Sequence, residues 1–88
     1  MDMRAAFEDT IRLAEDRGMQ ADGGELSLSH LRDMQARITP GFSEGKIGRW
    51  LGWAQAAVVA SGVASLEDMK ALNMAHADAE PGARPTTP

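Results

Sequence analysis

The chain has 88 residues, room for one domain, with 13 acidic against 9 basic side chains and a net charge of -4. It contains no cysteine, which excludes disulfides and thiolate metal sites as supports for so small a core. The two histidines, His30 and His76, lie far apart, so a histidine-based metal staple is not expected and homo-oligomerisation is the expected stabilising device.

The acidic balance argues against broad binding to nucleic acid, which needs a dense set of phosphate contacts, but leaves room for a small anionic ligand at one local site. The opening Met1-Asp2-Met3-Arg4 lacks the basic-then-apolar layout of a signal peptide. With the absence of cysteine, this points to a cytoplasmic location. The longest mostly apolar stretch, residues 50–63, is interrupted by Gln55 and Ser61 and falls short of the ~20 residues that span a bilayer, so no membrane association is expected.

In chain order, Met3, Phe7, Ile11 and Ala14 recur at helical spacing and predict an amphipathic helix over residues 3–17, with Glu8 and Arg12 paired and Gly18 as the stop. Asp22-Gly23-Gly24 then breaks the chain. Ser27 predicts the N-cap of a second helix, with Leu26 and Leu31 as a hydrophobic staple and Leu28, Leu31, Met34 and Ile38 as the buried stripe. Pro40-Gly41 ends it. The third helix is expected from Ser43 to about Ser61, stapled by Phe42 and Ile47 and stopped by Gly62. Ser65 and Asp68 resemble a capping box for a fourth, whose apolar positions are Leu66, Met69 and Leu72. The expected fold is all-α: a compact bundle of three to four short helices spanning 1–76, assembled as a homo-oligomer, with 77–88 as a proline-rich disordered tail.

The third helix carries most of the information. At about 100° per residue it sorts into three faces. Ile47, Leu51, Ala54 and Val58 form a core stripe, and Gly45, Gly48, Gly52 and Ala56 a face of small residues only. Each interior glycine costs about 1 kcal/mol relative to alanine. Close approach of another helix offsets that cost, either inside the bundle or across a subunit boundary. Gly48, Gly52, Gln55 and Ala56 are the candidate helix-packing or oligomer-interface residues, and a buried Gln55 amide requires a partner that a second subunit could supply.

Lys46, Arg49, Trp50 and Trp53 share the third face and are the candidate ligand-binding residues. Two readings of them stand side by side. The tryptophans fill the core while Lys46 and Arg49 lay their stems along them. Alternatively, the indoles stack on a base, worth ~1–3 kcal/mol, while the guanidinium fork and the ammonium hold phosphate.

The run Phe42-Ser43-Glu44-Gly45-Lys46-Ile47-Gly48-Arg49-Trp50-Leu51-Gly52-Trp53-Ala54-Gln55, followed by Leu66-Glu67-Asp68-Met69-Lys70-Ala71-Leu72-Asn73, resembles a group of small tailed-phage and prophage proteins. Those proteins share a Lys-x-x-Arg-Trp-Leu-Gly-Trp-x-Gln core and a Thr/Ser-Leu-Glu-Asp-Met-Lys-x-x-Asn end. The likeness covers about half the chain and leaves out the first helix and the tail. It implies a context: the cytoplasm of an infected or lysogenic bacterial host, where short accessory phage genes often encode proteins that blunt host defences. One class of these consists of small helical oligomers that sequester nucleotide second messengers of immunity. This sequence is similar to that class in size, helicity and expected oligomerisation, but lacks the class's own motifs.

The leading expectation is thus a phage-type anti-defence protein that sequesters a nucleotide second messenger, with Lys46 and Arg49 on phosphate and Trp50 and Trp53 on the bases. The alternative is an inhibitor or adaptor that binds a host defence protein, since Trp and Arg dominate interface hot spots. The acidic first helix would suit a basic partner. A helix-turn-helix at Pro40-Gly41-Phe42 is disfavoured, because the would-be recognition helix holds three glycines, two tryptophans and only two basic groups. Catalysis is not expected: there is no cysteine, no tyrosine, no phosphate-cradling glycine loop, and no serine set with a histidine and an acid. Nor is a metal or cofactor. His30 is expected as a solvated or capping residue, and His76 as the close of the last helix, where a cation suits the dipole.

Overall fold

The computed structural model describes residues 1–77, which form four helices: Met3–Asp16 (α1), Leu28–Arg37 (α2), Glu44–Ala60 (α3) and Leu66–Ala75 (α4). Beyond Ala77, the expected tail lies outside the described residues. All-α is therefore correct for the described chain, and no helix in it is long and apolar enough to cross a membrane.

Each helix starts where a side-chain oxygen replaces a missing backbone acceptor. Asp2 accepts from the Ala5 N–H at 3.0 Å, a cap that the sequence reading did not single out. Ser43 accepts from Lys46 at 3.1 Å, and Ser65 and Asp68 bond reciprocally as the expected capping box, at 3.1 and 2.9 Å. α1 ends in a Schellman motif: Gly18 takes φ 79°, its N–H bonds Glu15 O at 3.1 Å, and the N–H of Met19 bonds Ala14 O at 2.9 Å. Met19 is buried beneath this turn.

α2 begins differently. The chain turns at Gly23 and Gly24, both at positive φ, and runs back so that Gln20 O and Ala21 O accept the N–H groups of Leu28 and Ser29, each at 2.8 Å. Ser27 Oγ takes the next donor, His30 N, at 3.4 Å. These bonds fix the entry angle, and the expected staple is not used: Leu26 is half exposed.

The close helix–helix packing runs through α1, against which α2, α3 and α4 each lie. Phe7, Ile11 and Ala14 of α1 meet Leu31 of α2, Leu51, Ala54 and Val58 of α3, and Met69 of α4 in one buried cluster. The stripes expected on the first three helices are the buried ones, with Met3 and Ile38 partly covered at the margin. On α4 the expectation fails at one position. Met69 is buried and Leu72 partly so, but Leu66 is 66% exposed. Leu66 and Leu72 sit about 60° to either side of Met69, and only the Leu72 side turns toward the core.

One polar ladder crosses this core. The Thr10 hydroxyl, fully buried, donates to Ala6 O at 2.7 Å and accepts from Gln55 Nε2 at 3.2 Å. Gln55 Nε2 also donates to Asn73 Oδ1 at 2.8 Å, and Asn73 Nδ2 donates back to Gln55 Oε1 at 3.0 Å. The amide therefore finds its partners on α1 and α4 of its own chain. Of the two roles expected for Gln55, helix packing or a subunit boundary, these bonds supply the first.

Candidate binding groove

Because α2 and α3 both lean on α1 more closely than on each other, a groove of about 570 Å³ opens between them. Glu25, His30, Asp33, Met34 and Arg37 line one side, and Arg49, Trp50 and Trp53 the other. Three of the four residues singled out on the third face of α3 thus come together.

Lys46 does not join them. Its ammonium sits 4.2 Å from the centroid of Phe42 and 5.7 Å from that of Trp50, a cation–π position outside the groove lining. Phe42 meets Trp50 edge-on at 5.1 Å. Trp50 is accordingly half-buried, packed against the core on one side and held by Phe42 and Lys46 on another. Trp53 is 39% exposed, and the ring of His30 abuts it edge-on at 5.2 Å. The two readings of the tryptophans divide between them: Trp50 serves mainly packing, and Trp53 presents surface to solvent. His30, expected in water or at a cap, instead packs on Trp53.

Arg49 lies back over its own helix, its Nη1 so close to Gly45 that a Cβ there would meet it at 3.8 Å. It has no ion pair within the described residues. Arg37, across the groove, is engaged by Asp33 at 2.9 Å. With Glu25 also present, the groove pairs two guanidiniums with two carboxylates, and Arg49 is the one without an acid partner. Glu25, Asp33 and Arg37 were not expected here; the i,i+4 spacing of Asp33 and Arg37 on the predicted second helix was the available signal.

Among the described residues, the small-residue face of α3 is mostly uncovered. A Cβ on Gly48 would meet Met3 Sδ at 3.3 Å, whereas one on Gly52 would meet nothing within 4 Å. Gly52, Gln55 and Ala56 instead border an apolar groove of about 450 Å³ with Val59, Leu66 and Met69. Between α1 and α4 a further groove of about 570 Å³ carries Asp9, Asp16 and Asp68, but its cations are already committed. Arg12 pairs with Glu8 at 3.0 Å and Arg17 with Asp68 at 2.9 Å. It holds no aromatic side chain. His76 closes α4 as expected, and its Nε2 lies 2.6 Å from Asp9 Oδ2 on α1.

No group of three or more His, Asp or Glu side chains is placed to hold a metal among the described residues. Comparison of the chain with protein-family models, with curated proteins and with solved structures finds no match.

Proposed function

We propose that this protein works by binding, and that its ligand is a small nucleotide-like anion seated between α2 and α3. The observation that carries this is the conjunction of the exposed Trp53 and the acid-free Arg49 on one wall of a groove of about 570 Å³. That volume lies within the range of small-molecule sites. Trp53 offers a stacking face and Arg49 a planar donor fork for phosphate. Met34 and the half-buried Trp50 supply the apolar lining against which a base loses water. Lys46, outside the groove lining, takes no direct part. In the phage-type context suggested by the Arg-Trp-Leu-Gly-Trp run, such a protein would blunt host defence by sequestering a nucleotide second messenger.

The test is a fluorescence titration, since the chain has two tryptophans and no tyrosine. Cyclic mono-, di- and trinucleotides and cyclic ADP-ribose isomers form the panel. Saturable quenching by one of them, lost in Arg49→Ala with the fold intact by circular dichroism, supports the proposal. A flat response across the panel overturns it.

Glu25 and Asp33 favour a second reading. A groove with both signs of charge around an exposed indole suits a protein segment of mixed charge as well as it suits an anion. The protein would then be an inhibitor or adaptor with Trp53 and Arg49 as its hot spot. Capture of one defined host protein by the wild type, abolished by Trp53→Ala, supports this reading over the first.

A further inference from the structure

We infer that the groove between α2 and α3 takes one base carrying a single phosphodiester charge, the chemistry of a 3′,5′-cyclic mononucleotide or of one half of a cyclic dinucleotide. This rests on the nucleotide reading of the groove and narrows it.

Charge sets the first limit. Arg37 is paired with Asp33 at 2.9 Å, which leaves Arg49 as the groove's one guanidinium without a carboxylate among the described residues. Backbone donors add nothing at its α2 end, because the N–H groups of Leu28, Ser29 and His30 are already taken by Gln20 O, Ala21 O and Ser27 Oγ. Each further phosphate charge would sit beside the carboxylates of Glu25 and Asp33, with no further unpaired cation lining the groove among the described residues.

Stacking sets the second limit. Phe42 and Lys46 already cover part of Trp50. Trp53, in T-shaped contact with His30, is the more exposed of the two indoles at 39%. One exposed indole and one guanidinium without an acid partner among the described residues match one base and one phosphodiester. A cyclic dinucleotide doubles both demands, so it is met by two grooves and therefore by two chains.

The experiment is calorimetric titration at fixed ionic strength, without divalent cations, in matched adenine and guanine series. Each series contains the 3′,5′-cyclic monophosphate, the nucleoside triphosphate and the cyclic dinucleotide. The cyclic monophosphate should bind once per chain and roughly tenfold or more tighter than the triphosphate. The cyclic dinucleotide should saturate at one ligand per two chains. Asp33→Asn, a surface change, should narrow the gap between cyclic monophosphate and triphosphate. A triphosphate that binds as tightly as the cyclic monophosphate, or one cyclic dinucleotide per chain, overturns the inference while leaving a nucleotide groove standing. No heat from any of the six ligands overturns the nucleotide groove itself and the inference with it.

Discussion

Gln55 and Asn73 face each other across α3 and α4 as a reciprocal amide pair, with Nε2–Oδ1 2.8 Å and Nδ2–Oε1 3.0 Å. Gln55 is 9% exposed and Asn73 half-buried, and Met69 is the one buried residue of α4 among the described residues. α4 contributes little apolar burial and is instead aligned by hydrogen bonds: Arg17–Asp68 in its first turn, this pair in its last turn and His76–Asp9 at its C-cap. Polar alignment of this sort defines register more sharply than apolar contact, because a shifted helix leaves buried amides unpaired.

Removing one amide should therefore cost more than removing both. Asn73→Leu strands a buried Gln55 acceptor and one donor, with an expected loss of about 1–3 kcal/mol, whereas Gln55→Leu leaves the half-buried Asn73 open to water and removes a donor from the buried Thr10 hydroxyl. The double variant should lose less than the sum of the single losses. Urea denaturation of the four proteins measures the coupling. Strict additivity would mean that water replaces the pair without penalty.

The helices were legible from sequence because their ends are local chemistry. Ser27, Ser43 and Ser65 cap as expected, and Gly18 and Gly62 stop α1 and α3 at positive φ. The core stripe of α3 was equally legible, since Ile47, Leu51, Ala54 and Val58 need only helical geometry to share a face. What escaped depends on residues distant in the chain. His76 and Asp9 are 67 positions apart, and no local pattern joins them. Lys46 shares a face with Arg49, yet Phe42 and Trp50 hold it away from the groove. Which tryptophan would show to solvent depended on how far α2 stands from α3, a tertiary quantity.

The exposed small face makes a prediction of its own. Gly52 lies inside α3, and a methyl group added there would meet nothing within 4 Å, so Gly52→Ala should stabilise the isolated fold by about 0.5–1 kcal/mol. In a domain of this size the melting temperature should rise by roughly 4–8 °C per kcal/mol. Gly48→Ala should gain less, because its methyl meets Met3 Sδ at 3.3 Å. Thermal melts over a range of protein concentrations distinguish a free face from a covered one. If a second copy packs against Gly52, the substitution lowers stability and the melting point rises with concentration.

Acid should destabilise the fold through two carboxylates. The Asp68 carboxyl is held below its ordinary value of 3.8, first by the Ser65 backbone N–H and then by Arg17. The Gln35 amide, followed by Arg12, holds Glu8 below 4.5. Both groups bind protons more readily unfolded than folded, so their contribution is full above those ordinary values and vanishes as pH falls through the lowered folded ones. Melting temperature should therefore drop below about pH 4. Asp68→Asn keeps an acceptor for the Ser65 N–H but loses the charge opposite Arg17; it should melt lower at neutral pH and show a shallower acid limb. Parallel limbs for the two proteins would rule out Asp68 as a contributor.

The division of roles between the tryptophans is directly measurable. Trp53 is 39% exposed, whereas Trp50 packs against the core and Phe42. Two single-tryptophan proteins, Trp50→Phe and Trp53→Phe, isolate each emission. Iodide should quench Trp53 severalfold more efficiently than Trp50, and Trp53 should emit at longer wavelength. Truncation separates them further: Trp50→Ala should cost about 2–3 kcal/mol, below the range for a fully buried aromatic because Trp50 is half covered. Trp53→Ala should cost under about 1 kcal/mol while abolishing any ligand response of the remaining indole. Equal quenching of both, with equal destabilisation on truncation, would make the α2–α3 wall a packed surface and remove the stacking face on which the proposed site depends.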